Sequence, residues 1–242
     1  MYYSIFTIVL CFSAANSSGL YEGRSFVVMF PYHAMYIAAG PKNLAYPHLY
    51  ISPTTNNNVT VNVSLPHFEN LYHESFIISD LFKASIPQSV MSNLSANGSK
   101  AININSDDDI IVLAMSKNTE SASQQSHGAF AVLPTHVLGP SNYVVVTHCF
   151  WHGCFLGITS GLSEVDVNII IQSSSIVEYQ NQTYNSSASI RTHLQAFETI
   201  QIIAFKVDLT GSVVNSDGVI AVFSGAVYDI FDIPGATPNF RG

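Results

Sequence analysis

Two stretches of this chain recur, in order and at one spacing. Leu49-Tyr-Ile-Ser followed by Val59-Thr-Val-Asn-Val returns as Leu156-Gly-Ile-Thr followed by Val165-Asp-Val-Asn-Ile169. Asn105-Ser-Asp, then Ile110 to Ser116, returns as Asn215-Ser-Asp, then Val219 to Ser224. The offset is about 107 to 110 residues in both cases, too long for a solenoid repeat and suited to a small β-sandwich. The chain therefore reads as one β-rich unit written twice. Gly128 to Cys149 joins the copies, with an apolar run ending at Pro134, a turn at Gly139-Pro140 and a β-branched run from Tyr143 to Thr147.

The local pattern agrees. Val59, Val61, Val63 and Leu65 alternate with polar residues, the period of a half-buried antiparallel strand. Further strands are expected at Gly23–Phe30, His48–Ser52 and Ser75–Ser79. Ala101 to Asn105 and Ile110 to Met115 read as a hairpin around a polar turn. A short helix is weighed for Asp80 to Ser92, with Pro87 against it. Lys117 to Ser126 is a polar loop. The expectation is an all-β fold of two tandem, related, antiparallel β-sandwich-like units: residues 20–148, which include the joining segment, and 149–242. The second unit is expected to be truncated at its C-terminal end.

Residues 1–19 read as a secretory signal peptide, with an apolar core from Ile5 to Phe12 and small residues at Ser13-Ala14-Ala15. That core is too short to span a membrane, which takes about 20 apolar residues. Secretion fits the six N-x-[ST] acceptors, Asn58, Asn62, Asn93, Asn97, Asn181 and Asn185. Only 10% of the 242 residues are charged, against about 25% in ordinary domains, so glycans are expected to keep the surface wet. The net charge is −8 and the eight Lys and Arg are scattered singly. Nucleic-acid binding and polybasic membrane contact both rely on clustered positive charge and are disfavoured.

Of three cysteines, Cys11 lies in the expected signal peptide, leaving Cys149 and Cys154. In a secreted protein the pair is expected to form a disulfide. The competing reading, a metal site with His148 and His152, is disfavoured by an oxidising compartment and the lack of a second cysteine pair. Asn103 to Asp109 carries oxygens at alternate positions, as calcium sites do, but fails the EF-hand spacing and reads as a turn. Asn215-Ser-Asp-Gly218 reads as a plain hairpin turn with Asp-Gly at positive φ. No nucleophile elbow, zincin, P-loop or dinucleotide motif is present. No cofactor is expected. Trp151 and the tyrosines read as core or loop anchors; a sugar-stacking role stays open.

Several pieces of the chain carry a resemblance. They are Gly23-Arg-Ser-Phe-Val27, Ile111-Val-Leu-Ala114, Gly128-Ala-Phe-Ala-Val-Leu-Pro-Thr135, Leu138-Gly139 and Tyr143, then Asp208-Leu-Thr-Gly-Ser212 leading to Ala221-Val-Phe-Ser-Gly225. As an ordered set they resemble the amino-terminal domain family of IgGFc-binding protein, a secreted mucus component with many invertebrate relatives. The resemblance implies a secreted, non-enzymatic binding or structural module of mucus or extracellular matrix, with extracellular glycoproteins or mucin-like proteins as partners. Family members often stand beside von Willebrand type D domains, whose dense cysteine content is absent here. No ligand-binding residues carry over. A lectin-like protein and, further off, a secreted hydrolase are the alternative functions.

Overall fold

The computed structural model describes residues 19–32, 45–92, 95–118, 127–147, 153–172, 176–205 and 207–227. Among these the chain is built almost wholly of antiparallel strands, as expected. The expected signal peptide lies outside the described residues except for Gly19.

The first copy comprises β1 (Glu22–Val28), β2 (Ala45–Pro53), β3 (Val59–Ser64), β4 (His73–Ile78), β5 (Phe82–Ser85), β6 (Ala96–Gly98), β7 (Ile102–Asn118) and β8 (His127–Val132). The second comprises β9 (Asn142–Val144), β10 (Cys154–Ser160), β11 (Val165–Ile170), β12 (Val177–Tyr179), β13 (Gln182–Tyr184), β14 (Ser189–Leu194), β15 (Thr199–Ala204), β16 (Val213–Ser216) and β17 (Ile220–Ala226). In place of a helix, Asp80 to Ser92 forms β5 and a single 3-10 turn, Gln88–Val90, which starts after Pro87. Proline cannot donate in a helix interior, so only the turn's entry accommodates it.

β7 is the spine of the first copy. Its N-terminal half lies between β1 and β3, and its C-terminal half between β2 and β8. The change of partners falls at Ser106 to Asp109, where β1 steps from Gly23 opposite Ile110 to Ser25 opposite Asn105. The expected hairpin at this point is therefore a corner within one strand. Its polar residues replace the ladder bonds lost in the bend. Asp107 Oδ1 accepts from the Thr60 amide at 2.8 Å, and the Ser106 hydroxyl donates to the Asp108 carbonyl at 2.7 Å. Asp108 and Asp109 pair with Arg24 at 2.8 and 3.2 Å.

The second copy repeats the central part of this pairing. β11 lies between β14 and β16 as β3 lies between β4 and the first half of β7; β10 lies between β15 and β17 as β2 lies between β5 and the second half of β7. The register repeats too: Val61 faces Ser106 and Asn62 faces Asn105, as Val167 faces Ser216 and Asn168 faces Asn215. So does the corner. Asp217 Oδ1 accepts from the Asp166 amide at 2.9 Å, and the Ser216 hydroxyl donates to the Gly218 carbonyl at 2.9 Å. The expected hairpin at Asn215–Gly218 is thus also a corner: β16 and β17 pair with different sheets, and Gly218 is not among the residues at positive φ.

β17, β10 and β15, with β6 of the first copy at the edge, form a sheet buried on both faces. Leu156, Ile158, Ile200, Ile202 and Ile220 join the core of the second copy. Phe155, Ile203, Ala221 and Phe223 join that of the first. Gly157 sits where a Cβ would come within 3.1 Å of the Met29 sulfur, and Gln201 accepts from the Tyr32 amide at 2.7 Å. Strands covered on both sides lose alternation, hence the unbroken runs Cys154 to Ser160 and Thr199 to Ala204.

Phe223 crosses this boundary, edge-on to Phe130 with ring centroids 5.5 Å apart. Truncating a buried phenylalanine to alanine typically costs about 3–5 kcal/mol. Phe223→Ala should therefore lower the thermal midpoint by roughly 10 °C for a chain of this size. Calorimetry showing no change would mean that the copies do not support one another through this sheet.

Candidate functional site

The open face of the second copy lies on the sheet β14-β11-β16-β9. Val165, Val167 and Ile169 of β11, Ile190 and Leu194 of β14 and Val214 of β16 point into the core. Alternation then turns Asp166 and Asn168, Arg191 and His193, and Asn215 outward. Register aligns them across strands: Asn168 is opposite both Arg191 and Asn215, and Asp166 is opposite His193. With Asp217 at the corner they line an open cleft of about 620 Å³.

Two rows of different chemistry result. In one, the Arg191 guanidinium makes no ion pair among the described residues. Beside it the Ser189 hydroxyl donates to Asn168 Oδ1. In the other row, His193 Nδ1 lies 2.8 Å from Asp166 Oδ1, and Nε2 lies 3.6 Å from Glu164 Oε2. The hydrogen bond to Asp166 raises the imidazole pKa above its ordinary value, and the charges of Asp166 and Glu164 act in the same direction against slight desolvation.

A histidine oriented by an aspartate is half of a nucleophilic triad. The other half is missing here, because the second nitrogen faces a carboxylate. The nearby hydroxyls of Ser189 and Ser216 are donated to Asn168 and to the Gly218 carbonyl. Among the described residues no group of three or more His, Cys, Asp or Glu is arranged to hold a metal ion. The Asp107–Asp109 corner, the calcium-like stretch of the sequence, has two of its carboxylates engaged by Arg24 and the third by a backbone amide.

No cleft residue is expected at a site from the sequence, where Asn215 to Asp217 read only as part of a turn. Asp166 and Asn168 were visible as the polar half of an alternating strand, but the pairing with Arg191, His193 and Asn215 depends on register across three strands. Of the residues the sequence did name, Asn58, Asn62, Asn97, Asn181 and Asn185 are exposed. Asn181 stands at φ 61° beside Gln180 at 51°, the tip of the β12–β13 hairpin, and Asn97 Oδ1 accepts from the Tyr179 hydroxyl. Asn93, Cys149, His148, Trp151 and His152 lie outside the described residues. Cys154 is fully buried and engaged.

The Asp208–Ser212 piece is structural. Asp208 accepts from the Thr147 hydroxyl and from the amide and hydroxyl of Thr210, at 2.9 and 2.8 Å for the last two. Gly211 takes φ +89°, and the Ser212 hydroxyl accepts from the Gln172 amide at 2.9 Å. This knot pins the turn before β16 to the segment that follows β9.

Residues 128–238 match the family model described as IgGFc binding protein. The match supports membership of this stretch in the IgGFc-binding protein domain family. The matched stretch contains the whole cleft, the Asp208 knot and the Ala221–Gly225 strand. No curated protein matches the chain. Among the described residues no helix is long and apolar enough to cross a membrane.

The His193 cluster has a defined pH signature. A folded pKa above the unfolded value stabilises the fold below the unfolded pKa, and this contribution is lost as pH rises through the folded one. Imidazole proton shifts should titrate above about 6.5, and Asp166→Asn should return the midpoint towards that value. An unchanged midpoint in the variant would mean that the Asp166 contact does not persist in solution.

Proposed function

We propose that this protein is a secreted, glycosylated, non-enzymatic binding or structural module of mucus or extracellular matrix, engaging glycoproteins through its second copy. The observation that carries the reading is the cleft: open, polar and placed within the family segment, with its histidine held between carboxylates instead of beside a nucleophile. Loop edges and sheet faces on a rigid β scaffold are surfaces that binding modules use. The lectin alternative draws little support from the cleft, whose lining carries no Phe, Tyr or Trp ring for a sugar to stack on. Recombinant mature chain incubated with mucus or secreted matrix should capture glycoprotein partners and turn over nothing in a hydrolase panel. Chelator-sensitive hydrolysis surviving purification to homogeneity would overturn the reading.

Two properties belong with secretion. Cys149 and Cys154 form a disulfide, a pairing that agrees with the burial and engagement of Cys154; non-reducing peptide mapping should recover both cysteines in one linked peptide, and two free thiols would refute it. The exposed acceptors carry N-glycans, so an N-glycan-releasing enzyme should increase the mobility of the secreted protein on a gel. An unchanged band would remove the support that glycosylation gives to secretion.

A further inference from the structure

The duplication supplies an internal comparison for the cleft. The same backbone occurs in the first copy, on the outer face of β4-β3-β7. Register equates Asp166 with Thr60, Asn168 with Asn62, His193 with Ile77, Arg191 with Ser75 and Asn215 with Asn105. Glu164, one residue before β11, corresponds to Asn58, one residue before β3. The two faces share a scaffold and differ in chemistry. The first has Asn58, Thr60 and an exposed Ile77 where the second has Glu164, Asp166 and His193, while Asn62, like Asn58 an N-x-[ST] asparagine, keeps its amide as Asn168. A glycan on either acceptor would cover the first face; the second contains no acceptor.

We propose that the cleft on β14-β11-β16 binds an extended, cationic peptide segment of a partner protein. This rests on the binding-module reading and names the partner's chemistry. Asp166 and Asp217 line the cleft and Glu164 stands beside it, three carboxylates against the Arg191 guanidinium and the His193 imidazole, within a chain of net charge −8. The local field favours a cation over an anion. The row Arg191–Asn168–Asn215 offers guanidinium and amide donors in a line across three strands, suited to the carbonyls of a peptide backbone. The acidic row lies two residues further along each strand, roughly 7 Å away, which is about the reach of a lysine side chain from its own backbone. A segment crossing the strands over the amide row therefore sets a Lys or Arg side chain against Asp166, with Glu164 two residues beyond it.

The test uses a fluorescein-labelled octapeptide alternating Ser and Lys, with Ser-Glu and Ser-Gly octapeptides as controls, titrated against the intact mature chain by fluorescence anisotropy. Saturable binding of the Lys peptide is expected, weakened by salt. Glu164→Gln with Asp166→Asn should weaken it by about fivefold or more, the scale of two exposed ion pairs. Glu69→Gln with Asp80→Asn removes the same charge from exposed positions on the first copy and should leave binding within about twofold on that same scale. Arg191→Ala carries the sharpest sign. If its guanidinium grips backbone carbonyls, affinity falls; if the cleft is merely an acidic field, removing a cation raises it. Equal binding of the Ser-Glu peptide, equal losses in the two double variants, a gain on Arg191→Ala, or no saturable binding would each overturn the proposal. Failure here with glycoprotein capture intact would leave the module reading standing, whereas turnover in the hydrolase panel would remove that reading itself. Circular dichroism of each variant checks that the exposed substitutions leave the fold unchanged.

Discussion

The sheet formed by β17, β10, β15 and β6 is the element on which the rest of the molecule depends, because it has no solvent face. One side completes the core between itself and β14-β11-β16-β9. The other covers the core of the first copy, whose seven-stranded sheet is built about β7. Each core is therefore closed by a wall that belongs to both, and apolar area on both sides of that wall is removed from water at once. The consequences run through its residues. Gly157 makes room for Met29, Phe223 meets Phe130, and Gln201, a buried polar side chain, is placed where the Tyr32 amide needs an acceptor. A two-unit chain built this way is unlike two beads on a linker, since the edge strand β6 comes from one copy and the sheet it extends from the other.

The corner is the second device, and it occurs twice. A strand that passes from one layer of a sandwich to the next loses ladder bonds at the bend, and buried backbone groups left unpaired are costly. Ser106 and Asp107 in one copy, Ser216 and Asp217 in the other, supply the missing partners with the same atoms. What differs is the sequel. In the first copy Arg24 gathers Asp108 and Asp109, and β1 follows the bend closely enough that β7 remains one strand. Gly23 lets the segment after β8 pass close to β1, since a Cβ there would fall 2.5 Å from that of Pro134. In the second copy Gly218 replaces the first of those aspartates and the strand divides into β16 and β17.

Against this shared scaffold the surfaces diverge. Pleating guarantees every strand an outward set of side chains but does not specify them, so one fold can present an exposed isoleucine flanked by glycan acceptors on one copy and a charged cleft on the other. The His193 arrangement shows how little a catalytic-looking pair means by itself: among the described residues both of its nitrogens face carboxylates. The family segment spans this copy, and its most distinctive piece, Asp208 to Ser212, holds the scaffold together and touches no ligand surface.

The all-β class, the strands at Val59–Ser64 and Val165–Ile170 and the duplication were legible from the residues alone, because alternation with period two and a repeated string are properties of local sequence. The unbroken burial of Cys154–Ser160 and Thr199–Ala204 includes Thr199, Gln201 and Ser160, and what buries their second face is a relation between units that no window contains. The Asn-Ser-Asp stretches illustrate the same limit. Composition marks them as places where the chain changes direction, and a hairpin and a sheet-to-sheet corner use the same polar residues. Which one forms is decided by the partners on either side, Thr60 and Arg24 in one copy and Asp166 in the other. The cleft lay furthest from view: its residues are some 50 positions apart in the chain, and only the register of β14, β11 and β16, set by which side chains must be buried beneath them, brings Arg191, Asn168 and Asn215 into one row and His193 against Asp166.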